Sequence, residues 1–273
     1  DVAIPILKSL VATFHQYDPT RPVTEALFRP NASHDYEDGL ADLLDVIGQN
    51  YRPNEILAAH AQNPSRKIIG TENTHDRDQW VAMRDHPEYS GQFLWSGIDY
   101  LGESRRWPII GAGSGLLLSD ALPHPRAFQR QSWWSTTPMV AIVRRVSVER
   151  RAPVDPGYAN ATTMNQAAEP AKPGAHPPAL DPTVRFFQPL LADWTPKDLG
   201  PHTEDVEIYT NAQEVELLLN GKSLGTQQLH PDASPIVYKV PFEPGTLKAI
   251  ARTDGKVVAT DVLRTAGKPA RIE

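Results

Sequence analysis

The feature that most limits the fold of this chain is a change of rhythm along it. Up to about residue 138, helix-like and strand-like stretches follow one another; from about residue 184, apolar and polar residues alternate one by one. In the first part, Ile4, Leu7, Val11 and Phe14 recur at helical spacing. Asp18-Pro19-Thr20-Arg21-Pro22 stops that helix, because proline disfavours helical geometry in the residue before it. Strands are expected over Pro22–Leu27, Val46–Tyr51, Lys67–Thr71 and Gly91–Trp95. Helices are expected over Asp38–Leu44, Pro53–Ala61, Arg77–Arg84 and Pro125–Trp134. Strands that alternate with helices pair in parallel, through right-handed crossovers. Four such strands are half of what a (β/α)8 barrel needs, so this part is either a small open parallel sheet or half a barrel.

Met139–Val148 is a further apolar, alternating stretch, and residues 150–183 are rich in proline, alanine and small polar residues. That composition suits a linker or a surface excursion rather than a core element. Beyond it, Val206, Ile208, Val215, Leu217 and Leu219 alternate with polar neighbours. Asn220-Gly221 and Asp254-Gly255 each sit between two such runs, which is the two-residue hairpin signal. Several short strands with these turns suggest an immunoglobulin-like sandwich. The expected organisation is therefore α/β over 1–149, a linker over 150–183 and all-β over 184–273.

Composition narrows the chemistry. The chain has no cysteine, which removes disulfides, thiolate nucleophiles and cysteine metal sites. A net charge of -6 makes nucleic acid a poor partner. No apolar run approaches the ~20 residues that span a bilayer, so no membrane partner is expected. Glycosylation triplets at Asn31 and Asn160 are short enough to arise by chance.

Parallel α/β folds place reactive groups at the C-terminal ends of their strands. Here those ends carry Asn50-Tyr51, Thr71-Glu72 and Trp95, with Asp99, Tyr100 and Glu103 just beyond. A carboxylate on an apolar strand end needs partners to offset its desolvation. A tyrosine can hydrogen-bond it, and an indole offers an apolar floor for a sugar ring. This set suits a carboxylate that attacks an anomeric carbon, with Glu72 as that group. Read on spacing alone, a glutamate such as Glu72 is more often a loop residue or a helix-cap partner, and aromatics such as Tyr51 and Trp95 are more often core residues. His75 and Asp76 read as metal ligands, a general base, or capping material for the helix at Arg77. Gly111-Ala112-Gly113-Ser114-Gly115 lacks the strand and helix that a dinucleotide fingerprint requires, and reads as a loop.

Two segments carry a family resemblance. Lys67-Ile68-Ile69-Gly70-Thr71-Glu72-Asn73-Thr74-His75, then Trp80, then Gly91-Gln92-Phe93-Leu94-Trp95-Ser96-Gly97-Ile98-Asp99-Tyr100-Leu101-Gly102-Glu103, resemble glycoside hydrolase family two, the β-galactosidase and β-glucuronidase family. Asp18–Thr24 is similar to the family's approach to its fifth barrel strand, and Asp45–Tyr51 to its sixth. Val215–Gly225 is similar to the β-sandwich that follows the barrel. The resemblance implies the second half of a TIM barrel followed by an immunoglobulin-like sandwich. It implies a retaining hydrolase of terminal β-D-galactosides, with Glu72 as nucleophile and Tyr51 orienting it. Asn50, His75, Trp95, Asp99 and Glu103 are then candidates for substrate binding.

The family's acid/base glutamate follows an asparagine at the end of the fourth strand, and no such pair precedes the segment here that is similar to the approach to the fifth. The expectation is that this chain begins after it and is inactive alone, with the remaining N-terminal part of the enzyme as its partner. Magnesium or sodium serves some relatives, but no ligand motif here marks a site. A homo-oligomer is compatible with the resemblance, and localisation stays open between periplasm, secretion and cytoplasm. The alternatives are a β-glucuronidase or β-mannosidase of the same family, and a non-catalytic structural or carbohydrate-binding fragment.

Overall fold

The computed structural model describes residues 3–28, 34–102, 111–146 and 190–268. Glu103, both glycosylation triplets and the proline-rich 150–183 stretch lie outside the described residues. The described residues fall into two compact units, divided after Gly97.

The first unit opens with helix α1, Ala3–Tyr17, which buries Leu7 and Val11 one turn apart. It stops where expected: the Asp18 carboxylate accepts from the Thr20 backbone N–H at 3.0 Å and from its hydroxyl at 2.6 Å, closing a turn around Pro19. Four parallel strands follow, β1 (Ala26–Leu27), β2 (Ile47–Asn50), β3 (Ile68–Asn73) and β4 (Tyr89–Leu94), in the spatial order β1-β2-β3-β4. Helix α2, Pro53–Gln62, joins β2 to β3, and helix α3, Arg77–Arg84, joins β3 to β4. Pro53 opens α2, where a missing N–H costs nothing.

Two expectations fail in this unit. The strand expected over Pro22–Leu27 shrinks to two residues, and Asp38–Leu44 forms only a 3-10 turn over Ala41–Leu43. Leu40, Ala41 and Leu44 are buried there, so the segment serves as a core plug rather than a regular helix. The core joins Leu7 and Val11 of α1, Ile56 and Ala59 of α2, and Ile47, Ile68 and Tyr89 of the sheet. Arg66 staples its rim: the guanidinium donates to Asp42 at 2.7 and 2.9 Å and to the carbonyls of Tyr36 and Ala59.

The second unit begins with an irregular stretch and helix α4, Pro125–Trp134. Its strands form two antiparallel sheets. The first has β5 (Val140–Arg145), β6 (Leu190–Leu191), β7 (Thr203–Thr210) and β10 (Ile236–Pro241) in the order β10-β7-β5-β6. The second has β8 (Glu214–Leu219), β9 (Lys222–Gln228), β11 (Thr246–Thr253) and β12 (Lys256–Arg264) in the order β12-β11-β8-β9.

The two hairpins form at Asn220-Gly221 and Asp254-Gly255, with positive φ at all four residues, as a type I′ turn demands. Asn220 also locks its turn to the neighbouring loop: its side-chain oxygen accepts from Thr246 N–H at 2.8 Å, and its amide donates to the Pro244 carbonyl. The core between the sheets holds Ile142, Val206, Ile208, Val215, Leu217, Val240 and Leu247, with Trp194 fully buried.

Strand β5 falls in a stretch that the sequence reading placed with the α/β part. Its hydrogen bonds run to β7 and β6, so it belongs to the antiparallel unit. Its buried Arg144 carries ion pairs to Asp193 at 2.7 Å and Glu204 at 3.3 Å, which compensate the charge. On the β6 side, where β6 covers only Arg144 and Arg145, the Ile142 N–H is taken up by Asp261 of β12 at 2.8 Å.

Candidate active site

Because β1 to β4 run parallel, their C-terminal ends share one edge of the sheet. Asn50 ends β2 and stands opposite Glu72 of β3; Asn73 stands opposite Leu94 of β4. The register is irregular at this point. Gly70 to Glu72 spans two residues where Gln49 to Asn50 spans one, and Gly70 to Asn73 spans three where Gln92 to Leu94 spans two. Strand β3 therefore carries one extra residue, a bulge, of the kind that re-aims side chains beside active sites.

The consequence is visible in the side chains. Gly70 and Asn73 both approach the Tyr89 hydroxyl, although they are three residues apart and a regular strand would put them on opposite faces. The broken alternation leaves Thr71 and Glu72 together on the other side. There the Thr71 hydroxyl donates to the Asn50 side-chain oxygen at 2.7 Å, and the Tyr51 hydroxyl donates to Glu72 Oε2 at 2.5 Å.

Tyr51 is bound to Glu72 twice, since its backbone N–H also reaches the Glu72 carbonyl at 2.7 Å. Its backbone lies in the left-handed region, φ 57°, which costs a non-glycine residue about 1–3 kcal/mol and persists only where surroundings hold it. The two bonds to Glu72 do that holding, together with an edge-to-face contact from Phe28, ring centroids 6.0 Å apart.

On the other flank, Asn73 is fully buried and fixes the next strand end. Its side-chain oxygen accepts from Tyr89 at 2.7 Å, its amide donates to the Phe93 carbonyl, and its own carbonyl accepts from the Trp95 N–H at 3.0 Å. Trp95 is 37% exposed, so the indole keeps an open surface on which a ring can stack. The Trp95–Ser96 peptide bond is cis.

The first unit thus brings together Asn50, Tyr51 and Glu72 through direct contacts, with Trp95 tied to the adjacent backbone. His75 is buried just past β3. Asp76 takes the N-cap position of α3 but makes no side-chain cap bond there. Its carboxylate accepts from the Thr74 hydroxyl at 2.8 Å, and Gln79 reaches back to accept from the Thr74 N–H at 2.8 Å.

Asp99 belongs to the second unit. Its carboxylate accepts from the Gly115 N–H at 2.7 Å and faces His124 Nε2 at 3.2 Å, bracing the 111–118 loop. Gly111–Gly115 is irregular, as expected of a loop. Among the described residues, no group of three or more acidic or histidine side chains is arranged to hold a metal ion, and no helix is long and apolar enough to cross a membrane. Sequence reasoning gave Thr71 and Asn73 no role of their own; the signal for them was the polar run Thr71-Glu72-Asn73 that follows Gly70 at the end of an apolar strand.

Known proteins match this architecture. A family described as a domain of unknown function, DUF4982, matches residues 202–259. A β-galactosidase from Bacteroides ovatus is 28% identical to the chain across 98% of it, corresponding to 31% of that protein. The crystal structure of a glycosyl hydrolase family 2 member from Bacteroides cellulosilyticus is also 28% identical, with a TM-score of 0.75, and is matched over 97% of this chain and 33% of its own. The chain is a homologue of the family 2 glycoside hydrolases. A putative β-glucuronidase from Formosa agariphila is 27% identical across 72% of the chain, corresponding to 15% of that protein. The chain therefore spans about a third of the length of the family 2 relatives first named, and its homologues are glycosidases.

Proposed function

We propose that this chain carries the nucleophile of a retaining β-galactosidase, and that the nucleophile is Glu72. The observation that supports this most directly is the double tether of Tyr51 to Glu72, built on a bulge and a left-handed residue that a purely structural strand end has no need of. The tyrosine hydroxyl occupies Oε2, and the other carboxylate oxygen attacks the anomeric carbon. That bond forms as the bond to the leaving oxygen breaks, and the leaving oxygen takes a proton from a second carboxyl group. Water, deprotonated by that second group, then attacks the same carbon and returns Glu72 to its carboxylate. In a retaining enzyme the two carboxyl groups lie about 5–5.5 Å apart. The second is expected from an Asn-Glu pair outside this sequence.

On this reading the first unit is the second half of a (β/α)8 barrel and the second unit contains an immunoglobulin-like sandwich. Among the described residues, β1 and β4 are the end strands of the sheet in the first unit, as they would be in a half barrel. Helix α1 buries Leu7 and Val11, yet Ile6, Leu10 and Phe14, spaced one turn apart, are each at least half exposed. That apolar row suits burial against the helices and strands of the other half.

Two family 2 relatives bear different names, a β-galactosidase and a putative β-glucuronidase. The β-galactoside reading follows the relative that is matched over 98% of this chain, against 72% for the putative β-glucuronidase. Glu72→Gln in the complete gene product tests the assignment. Turnover of an aryl β-galactoside is expected to fall by at least a thousandfold with the fold intact; retained turnover ends it. Aryl β-glucuronides and β-mannosides run beside it test the sugar preference.

A further inference from the structure

We infer that Thr71 is a positioning residue for substrate recognition, acting through Asn50; the inference rests on the reading of Glu72 as nucleophile. The bulge in β3 turns Thr71 to the same side as Glu72, where its hydroxyl donates to the Asn50 side-chain oxygen at 2.7 Å. In the structure the Asn50 carbonyl oxygen faces Thr71, which leaves the NH2 group as what Asn50 presents elsewhere. Asn50 is 5% exposed and stands opposite Glu72 in the sheet register, so the two side chains leave neighbouring positions on the same face of the sheet.

Thr71 is held in turn by the space around it. A β-carbon on Gly48, two residues before Asn50 on the same strand, would lie 2.7 Å from the Thr71 methyl carbon and 3.0 Å from the Thr24 hydroxyl. The glycine therefore leaves a notch that the threonine methyl fills. The methyl in that notch limits the χ1 freedom of the side chain, whose hydroxyl is bonded to Asn50. The product of this arrangement is an oriented hydrogen-bond donor for one sugar hydroxyl, suited to a galactoside or other neutral glycoside.

The experiment uses the complete gene product and compares Thr71→Val, Thr71→Ser, Asn50→Ala and the Thr71→Val/Asn50→Ala pair. Substrates are an aryl β-galactoside and its 2-, 3-, 4- and 6-deoxy analogues. Thr71→Val keeps shape and loses the hydroxyl, and is expected to lower kcat/KM about fivefold on the parent glycoside, the worth of one neutral hydrogen bond. Thr71→Ser is expected to stay within about twofold of wild type on the same scale. The loss is expected to vanish on one deoxy analogue, and the double variant to be no worse than Asn50→Ala alone.

Equal losses on every analogue, a serine variant as poor as the valine one, or losses that multiply in the pair would overturn the proposal. A Thr71→Val protein that fails to fold assigns the hydroxyl to stability and overturns it as well. Glu72→Gln is assayed alongside. If that variant turns over, the site reading itself is wrong; if it is dead while Thr71→Val is unimpaired, only the role of Thr71 is lost.

Discussion

Replacing Gly70 by alanine separates two physical arguments that point in opposite directions. In an ordinary strand interior, alanine is favoured over glycine by roughly 0.5–1 kcal/mol, because glycine loses more conformational freedom on folding. At Gly70 the added methyl would fall inside van der Waals contact of the Tyr89 hydroxyl and the Asn73 amide nitrogen, and 3.0 Å from a Tyr89 ring carbon. Tyr89 is 1% exposed and Asn73 fully buried, so neither has room to withdraw. Overpacking of this kind costs about 1–3 kcal/mol. Displacing the hydroxyl also breaks the 2.7 Å bond to Asn73, and a buried polar group left without a partner costs about 1–3 kcal/mol more. The net expectation is destabilisation of the first unit by roughly 1–5 kcal/mol.

Amide hydrogen exchange read on peptides of β3 and β4 is the right assay, because it reports each unit separately where a global melt mixes them. Faster exchange is expected in β3 and β4 and unchanged exchange in β8 to β12. Tyr89→Phe removes the hydroxyl that the methyl meets, so the Gly70→Ala/Tyr89→Phe pair is expected to lose less than the two single losses added together. Exchange in Gly70→Ala equal to wild type or slower would refute the reasoning. It would mean that the strand adjusts around the methyl and that propensity, not packing, decides this position.

Two other expectations concern stability. Asp261→Ala leaves the Ile142 N–H without its acceptor and is expected to cost about 1–3 kcal/mol in denaturant unfolding of the sandwich, whereas Asp261→Asn, which keeps an oxygen acceptor, is expected to retain most of it. Equal loss in both would show that charge rather than the hydrogen bond matters. Burial pushes the Tyr89 and Tyr238 phenols up to about 12, against about 10 in an unfolded chain. A raised folded-state value means that the neutral phenol stabilises the fold in full below pH 10, and that this stabilisation is lost as pH rises from 10 toward 12. A fraction of the phenolate absorbance that develops only together with alkaline unfolding is expected; normal titration of all tyrosines near pH 10 in folded protein would contradict it.

Much of this fold was written locally. The helices over Arg77–Arg84 and Pro125–Trp134, the stop at Asp18-Pro19 and both hairpin turns occur where residue preference places them, because helix propensity, proline geometry and positive φ are properties of a few neighbouring residues. Glu72 and Tyr51 were legible for a related reason: in a parallel sheet, polar residues that follow apolar strands must gather at one edge. What the sequence could not state was which strands pair. Val140–Arg145 reads as a strand in either half, and only its hydrogen bonds to β7 and the burial of Arg144 assign it to the antiparallel unit. Nor does any run of six residues announce the extra one in β3, since a bulge exists only relative to the neighbouring strands that it slips against. Sequence thus determined which groups are available at the strand ends. Tertiary packing, through the space at Gly48 and Gly70 and the register between strands, decided that Thr71 and Glu72 face the same way.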